Sequence, residues 1–123
     1  MIITKEYLRA NPTHVFVFGD NTIRKGKGGA AILRDEPNTY GFITKKYPNN
    51  EDASFYRPEE YRVIFNKELA KLSWEIFDHS KKTYLISQLG GGLANRYNIW
   101  ETIIKPGLEK IRAFSNVVFL WEV

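Results

Sequence analysis

The chain has 123 residues, 18 Lys and Arg against 14 Asp and Glu for a net charge of +4, and no cysteine. That length supports one domain with a core of its own. Without cysteine there is no disulfide scaffold, thiolate metal site or cysteine nucleophile, and a reducing compartment is expected. The stretch Met1-Ile2-Ile3-Thr4-Lys5-Glu6 has no basic segment ahead of an apolar run, which argues against a signal peptide. No apolar run is long enough for a transmembrane helix, so the expected location is the cytoplasm.

In chain order, residues 4–10 read as a short helix capped by Thr4, ended by Asn11-Pro12-Thr13. Residues 14–18 form a buried strand, β-branched and aromatic. It runs into Gly19-Asp20-Asn21 and the turn Gly26-Lys27-Gly28-Gly29-Ala30-Ala31, with a helix over residues 29–34. Residues 40–44 read as a second strand, followed by a polar loop. Pro58-Glu59-Glu60 opens a long helix, with proline at the first position and acids in the first turn. Tyr61, Phe65, Leu69, Leu72 and Ile76 make its apolar stripe, which reaches about Asp78. A third strand covers residues 83–88 and meets a second turn, Gly90-Gly91-Gly92-Leu93-Ala94-Asn95. Residues 98–114 predict a helix that Pro106-Gly107 kinks or splits. Residues 117–121 close the chain as a strand.

Strand and helix alternate, which predicts a single small α/β domain of the Rossmann-like kind. Its expected build is three-layer, a mainly parallel sheet with helices on both faces. Ligands of such sheets sit beyond the carboxyl ends of strands. If the first and third strands are neighbours, both glycine turns face one crevice.

Glycine lets backbone N–H groups approach an anion closely, and a helix N-terminus adds partial positive charge. Two such turns predict a diphosphate held between them. The first is not a P-loop, because Gly28 stands where a hydroxyl residue would follow Lys27; the dinucleotide fingerprint spacing fails as well. The candidate ligand contacts are Gly19, Lys27, Gly28, Gly29 and Ala30 from the first turn. The second adds Ser87, Gly90, Gly91, Gly92, Leu93, Asn95, Arg96 and Tyr97. Arg96 is positioned to pair with phosphate and Tyr97 to pack on a sugar or base; a helix cap with a solvated arginine is the plainer reading of both. Asp20 and Asn21 are the only pair near the turns that can orient a water or bond a ribose, so they are the catalytic candidates. For each the structural alternative is an Asx-turn. On the loop Phe55-Tyr56-Arg57, an aromatic either stacks on a base or packs against the long helix. His14 and His79 lack a third ligand at metal spacing, so no metal is expected, and no cofactor is implied.

The segments Val15-Phe16-Val17-Phe18-Gly19-Asp20-Asn21 to Ala31-Ile32 and Leu85-Ile86-Ser87 to Leu93-Ala94 resemble a group of small phage and bacterial proteins. Those carry a VFVFG-N strand, a GGAA turn and a late GGGLA turn. More distantly, both turns resemble the ligand loops of macrodomains. That resemblance implies an ADP-ribose-like ligand. Asn21 would contact the distal ribose, and Gly28, Gly29 and Gly90 to Gly92 would wrap phosphate and ribose. Three functions follow as expectations. One is binding of ADP-ribose or a cyclic nucleotide signal, with hydrolysis or as an anti-defence protein that sequesters the signal. The second is nucleic-acid binding, which the dispersed basic residues argue against. The third is inhibition of a partner protein through a surface patch. Oligomeric state is not readable from the chain.

Overall fold

A computed structural model describes residues 2–123. Met1, which opens the stretch read above for a signal peptide, lies outside them. Four strands, β1 (His14–Asn21), β2 (Thr39–Lys45), β3 (Thr83–Ile86) and β4 (Val117–Phe119), form one sheet in the order β2-β1-β3-β4. Every pairing is parallel. The connection from β1 leads outward to β2, and the connection from β3 leads outward to β4. The two directions diverge between β1 and β3, and that point is where a parallel sheet opens a crevice.

The sheet carries helices α1 (Lys5–Ala10), α2 (Pro58–Asp78) and α3 (Lys105–Leu108). Helix α1 starts where the Thr4 hydroxyl accepts the Tyr7 N–H at 3.1 Å, as its sequence predicts. Helix α2 starts at Pro58, and the Glu60 carboxylate reaches back to the Arg57 N–H at 3.3 Å. Strand β1 divides its side chains by the two-residue period. Val15 and Val17 join Tyr61, Phe65, Leu72 and Ile76 of α2 and the 99–111 segment in one buried cluster. Phe16 and Phe18 join Leu8, Ala31, Leu33 and Leu120 in a second, smaller one. The chain is thus an α/β domain with an all-parallel sheet. No helix is long and apolar enough to cross a membrane among the described residues.

Several boundaries differ from the sequence reading. Strand β1 continues through Gly19, Asp20 and Asn21 because β2 pairs alongside, Gly19 opposite Phe42 and Asp20 opposite Ile43. The predicted helix after the first glycine turn is a short 3-10 segment, Gly29–Leu33, and the second turn itself holds a 3-10 turn at Leu93–Asn95. Elements that short add almost no dipole. The predicted 98–114 helix is a π segment Trp100–Ile104, then α3, then a 3-10 turn Glu109–Ile111. Pro106 has no N–H and its ring crowds the carbonyl four residues back. The chain answers by widening, with the Lys105 N–H bonding the Trp100 carbonyl.

Strand β2 is a sheet edge, and α2 covers it with side chains. The buried Glu68 carboxylate accepts the Ile43 N–H at 2.7 Å, and the Tyr61 hydroxyl donates to the Ile43 carbonyl at 2.5 Å. Both backbone groups of Ile43 are satisfied as a further strand would satisfy them.

Candidate functional site

The adjacency of β1 and β3 brings the two glycine turns to one cleft of about 520 Å³ at the carboxyl end of the sheet. Gly19 is where they approach. A Cβ there would stand 3.1 Å from the Thr44 hydroxyl and 3.7 Å from the Gly90 nitrogen. Gly19, Asp20, Lys27, Gly28, Gly29 and Ala30 line one side. Ser87, Gly90, Gly92 and Leu93 line the other. Gly29 and Gly90 have φ of +57° and +70°, in the left-handed region that favours glycine. Gly28 is different: its φ is −75°, and a Cβ on it would meet nothing within 4 Å. No contact inside the chain asks for glycine at that position. Among the described residues the N–H groups of Gly28, Gly90 and Gly92 have no hydrogen-bond acceptor.

The first turn is braced from beneath. The Arg34 guanidinium donates to both oxygens of Asp20, at 3.0 and 2.7 Å, and to the carbonyls of Gly26 at 2.9 Å and Lys25 at 3.2 Å. Arg24 adds a bond to Asp20 at 3.2 Å, and the Asn21 N–H another at 2.8 Å. Gly41 on β2 makes room for this ion pair, since a Cβ there would overlap the Asp20 carboxylate.

These bonds show what the two catalytic candidates hold in the folded chain. Asp20 is buried with its oxygens committed to two arginines and a backbone N–H, so it holds the turn and has no oxygen left to activate water. Asn21 forms the Asx-turn: its amide donates to the Lys25 carbonyl at 2.7 Å and its oxygen accepts the Ile23 N–H at 3.2 Å. It does not line the cleft.

Residues 95–97 also leave the site, and so does Gly91. Asn95 caps the next helical segment, bonding the Trp100 N–H at 2.9 Å and the Glu101 carboxylate at 2.9 and 3.0 Å. Arg96 bonds Asp52 at 3.2 Å and lies 4.2 Å from the centroid of Phe55. The Tyr97 hydroxyl donates to Asp52 as well. The Tyr97 and Arg96 hydrogen bonds hold the Asp52 carboxyl below its ordinary range. Phe55 and Tyr56 are buried, with Tyr56 5.4 Å from the Tyr61 ring, so this loop packs on α2.

Residues 1–95 match a family of unknown function, DUF7831. The chain belongs to that family. The DUF7831 match spans β1, β2, α2, β3 and both glycine turns, and so all the residues that line the cleft. No curated protein and no solved structure matches the chain.

In this DUF7831 chain the end of β2 supplies cleft residues that the sequence reading missed: Thr44, Lys45, Pro48 and Asn50, with Gln88 from beyond β3. No pattern marks them; only parallel pairing of β2 with β1 carries them to the same edge. Lys25, Lys27 and Lys45 place three ammonium groups around the cleft. Lys27 pairs with Asp35. Among the described residues Lys25 and Lys45 have no carboxylate partner. The Lys45 pKa is lowered by desolvation first and by the charge of Arg96 second. Asp20 is the only carboxylate among the described lining residues, and its arginines neutralise it; no histidine is among them. Unpartnered N–H donors and uncompensated lysines favour an anion.

Proposed function

We propose that the cleft binds the diphosphate of an ADP-ribose-like nucleotide between the two glycine turns and retains it without hydrolysis. The observation that carries this reading is the meeting of Gly28 and Gly92, each with an open Cβ position and an unpartnered N–H, on opposite sides of one cation-rimmed cleft. The resemblance of both turns to macrodomain loops supports the same ligand class and a macrodomain-like layering. Retention without hydrolysis follows from the bonds that occupy Asp20 and Asn21. Nucleotides of this class belong to the cytoplasm, where we place the protein.

Calorimetry with ADP-ribose, cyclic ADP-ribose and cyclic dinucleotides tests the reading. At least one is expected to bind and to be recovered intact by chromatography. Gly28→Val keeps the fold, because its φ suits a side chain and the Cβ enters open space, and weakens binding at least tenfold. Silence from every ligand, or unchanged affinity in Gly28→Val, overturns the reading. Recovery of a cleaved ligand overturns the retention half alone.

One observation favours a second reading, docking on a partner protein. Trp74 and Phe77 on α2 are 66% and 64% exposed, with ring centroids 5.9 Å apart at 90°. Exposed aromatic pairs are enriched in interface anchors. This reading predicts that Trp74→Ala abolishes binding to the partner protein while Gly28→Val leaves it intact.

A further inference from the structure

Next to the cleft lies an apolar groove of about 400 Å³. Its walls include Phe16, Ile32, Leu120 and Trp121. The two spaces adjoin: Gly29, Ala30, Ser87 and Gln88 line both. They differ in chemistry. Among the described residues the cleft carries lysines and free N–H groups and no aromatic side chain, and the groove carries Phe16 and Trp121 and no charged side chain. Ile32 on its wall is 66% exposed, an apolar side chain open to solvent. Ser87 and Gln88, at the junction, have side chains that both donate and accept hydrogen bonds.

We infer that the groove is the second half of one elongate site and seats the heterocyclic base of the nucleotide whose diphosphate occupies the cleft. The assignment rests on the cleft reading above. An occupant must present an anionic group on one side of the Gly29-Ala30 wall and a flat apolar group on the other. A nucleotide does both, since its base is planar, weakly polar at the faces and hydrogen-bonding at the edges. Ile32 and the outer part of Trp121, whose ring stacks on Phe119 at 4.6 Å and abuts Trp100 at 4.9 Å, offer apolar surface to the base, and Ser87 and Gln88 its hydrogen-bonding edges. The bare Gly29, with no atom within 4 Å of its Cβ position, leaves the passage between the halves open.

The test compares inorganic pyrophosphate with ADP, GDP and UDP on the full chain. At least one nucleoside diphosphate is expected to bind ten times or more tighter than pyrophosphate. The Trp121 indole resonance shifts with that nucleotide and stays in place with pyrophosphate. Ile32→Asn, a surface change that adds no charge, removes the tenfold gap and leaves pyrophosphate affinity unchanged. Equal affinities with an unmoved Trp121 resonance overturn the groove assignment and leave the cleft standing. Absence of binding by all four overturns both.

Discussion

Arg34 shows how one side chain joins a buried charge to a glycine turn. Its guanidinium makes four hydrogen bonds, two to Asp20 and two to the carbonyls of residues 25 and 26, and it lies 5.3 Å from the Phe18 ring centroid. The Asp20 side chain is 2% exposed. Breaking a buried pair from one side leaves an under-compensated charge, which costs more than the pair contributes. Arg34→Met is therefore expected to destabilise the chain by about 3 kcal/mol, read from urea unfolding midpoints. Asp20→Asn combined with Arg34→Met recovers part of that loss, because no buried charge is left over. Arg34→Lys restores less than the arginine supplies, since an ammonium cannot span a carboxylate and two carbonyls at once. Recovery no greater in the double variant than in Arg34→Met would show that Asp20 is not the reason for the loss.

At the level of elements, the packing of α2 against the π and α segments 100–108 depends on Gly107. A Cβ at Gly107 would overlap the Phe65 ring, and Phe65 is 3% exposed and packed 5.8 Å from the Phe42 ring. The ring has no free direction to move. Gly107→Ala is expected to cost about 2 kcal/mol by overpacking, despite alanine's better helix propensity. Phe65→Leu in the same chain relieves the overlap, so the pair of changes is less destabilising than the sum of its parts; a thermal-melt double-mutant cycle measures this. The helix stripe on α2 was readable in the sequence because Tyr61, Phe65, Leu69, Leu72 and Ile76 repeat at the helical period and all are buried. The four strands were readable because short β-branched runs fall between turn residues. The extension of β1 to Asn21 was not, because Gly, Asp and Asn signal a turn locally and only pairing with β2 overrides them. For the same reason the sequence exposed the glycine half of the cleft and hid Lys45. It also could not foresee that Asn95, Arg96 and Tyr97 turn away from the cleft to Glu101 and Asp52, partners set by tertiary contact.

For the molecule as a whole, the buried phenols set a ceiling on alkaline stability. Tyr40 is pushed up to about 12, by desolvation first and by the charges of Glu68 and Glu75 after it. Burial raises Tyr61 and Tyr84 further, with Glu75 accepting the Tyr84 hydroxyl at 2.5 Å. In the unfolded chain all three ionise near the ordinary tyrosine value of about 10. Below that pH both states hold the protons, and stability does not change on their account. Above it the unfolded state loses them first, so it binds fewer protons than the native state and stability falls as pH rises. Each tyrosine contributes a slope of about 1.4 kcal/mol per pH unit; for Tyr40 the loss levels off once its own folded value is passed. Urea midpoints between pH 9 and 11.5 are expected to hold and then drop steeply above pH 10. Absorbance at the phenolate band should show these tyrosines ionising together with unfolding and not before it. Tyr40→Phe removes one of these groups without removing a hydrogen bond among the described residues, and the slope above pH 10 shrinks by about a fifth at most, because Tyr56 and Tyr97 are raised as well. An unchanged slope in Tyr40→Phe would mean that the hydroxyl reaches solvent in the folded chain and titrates freely.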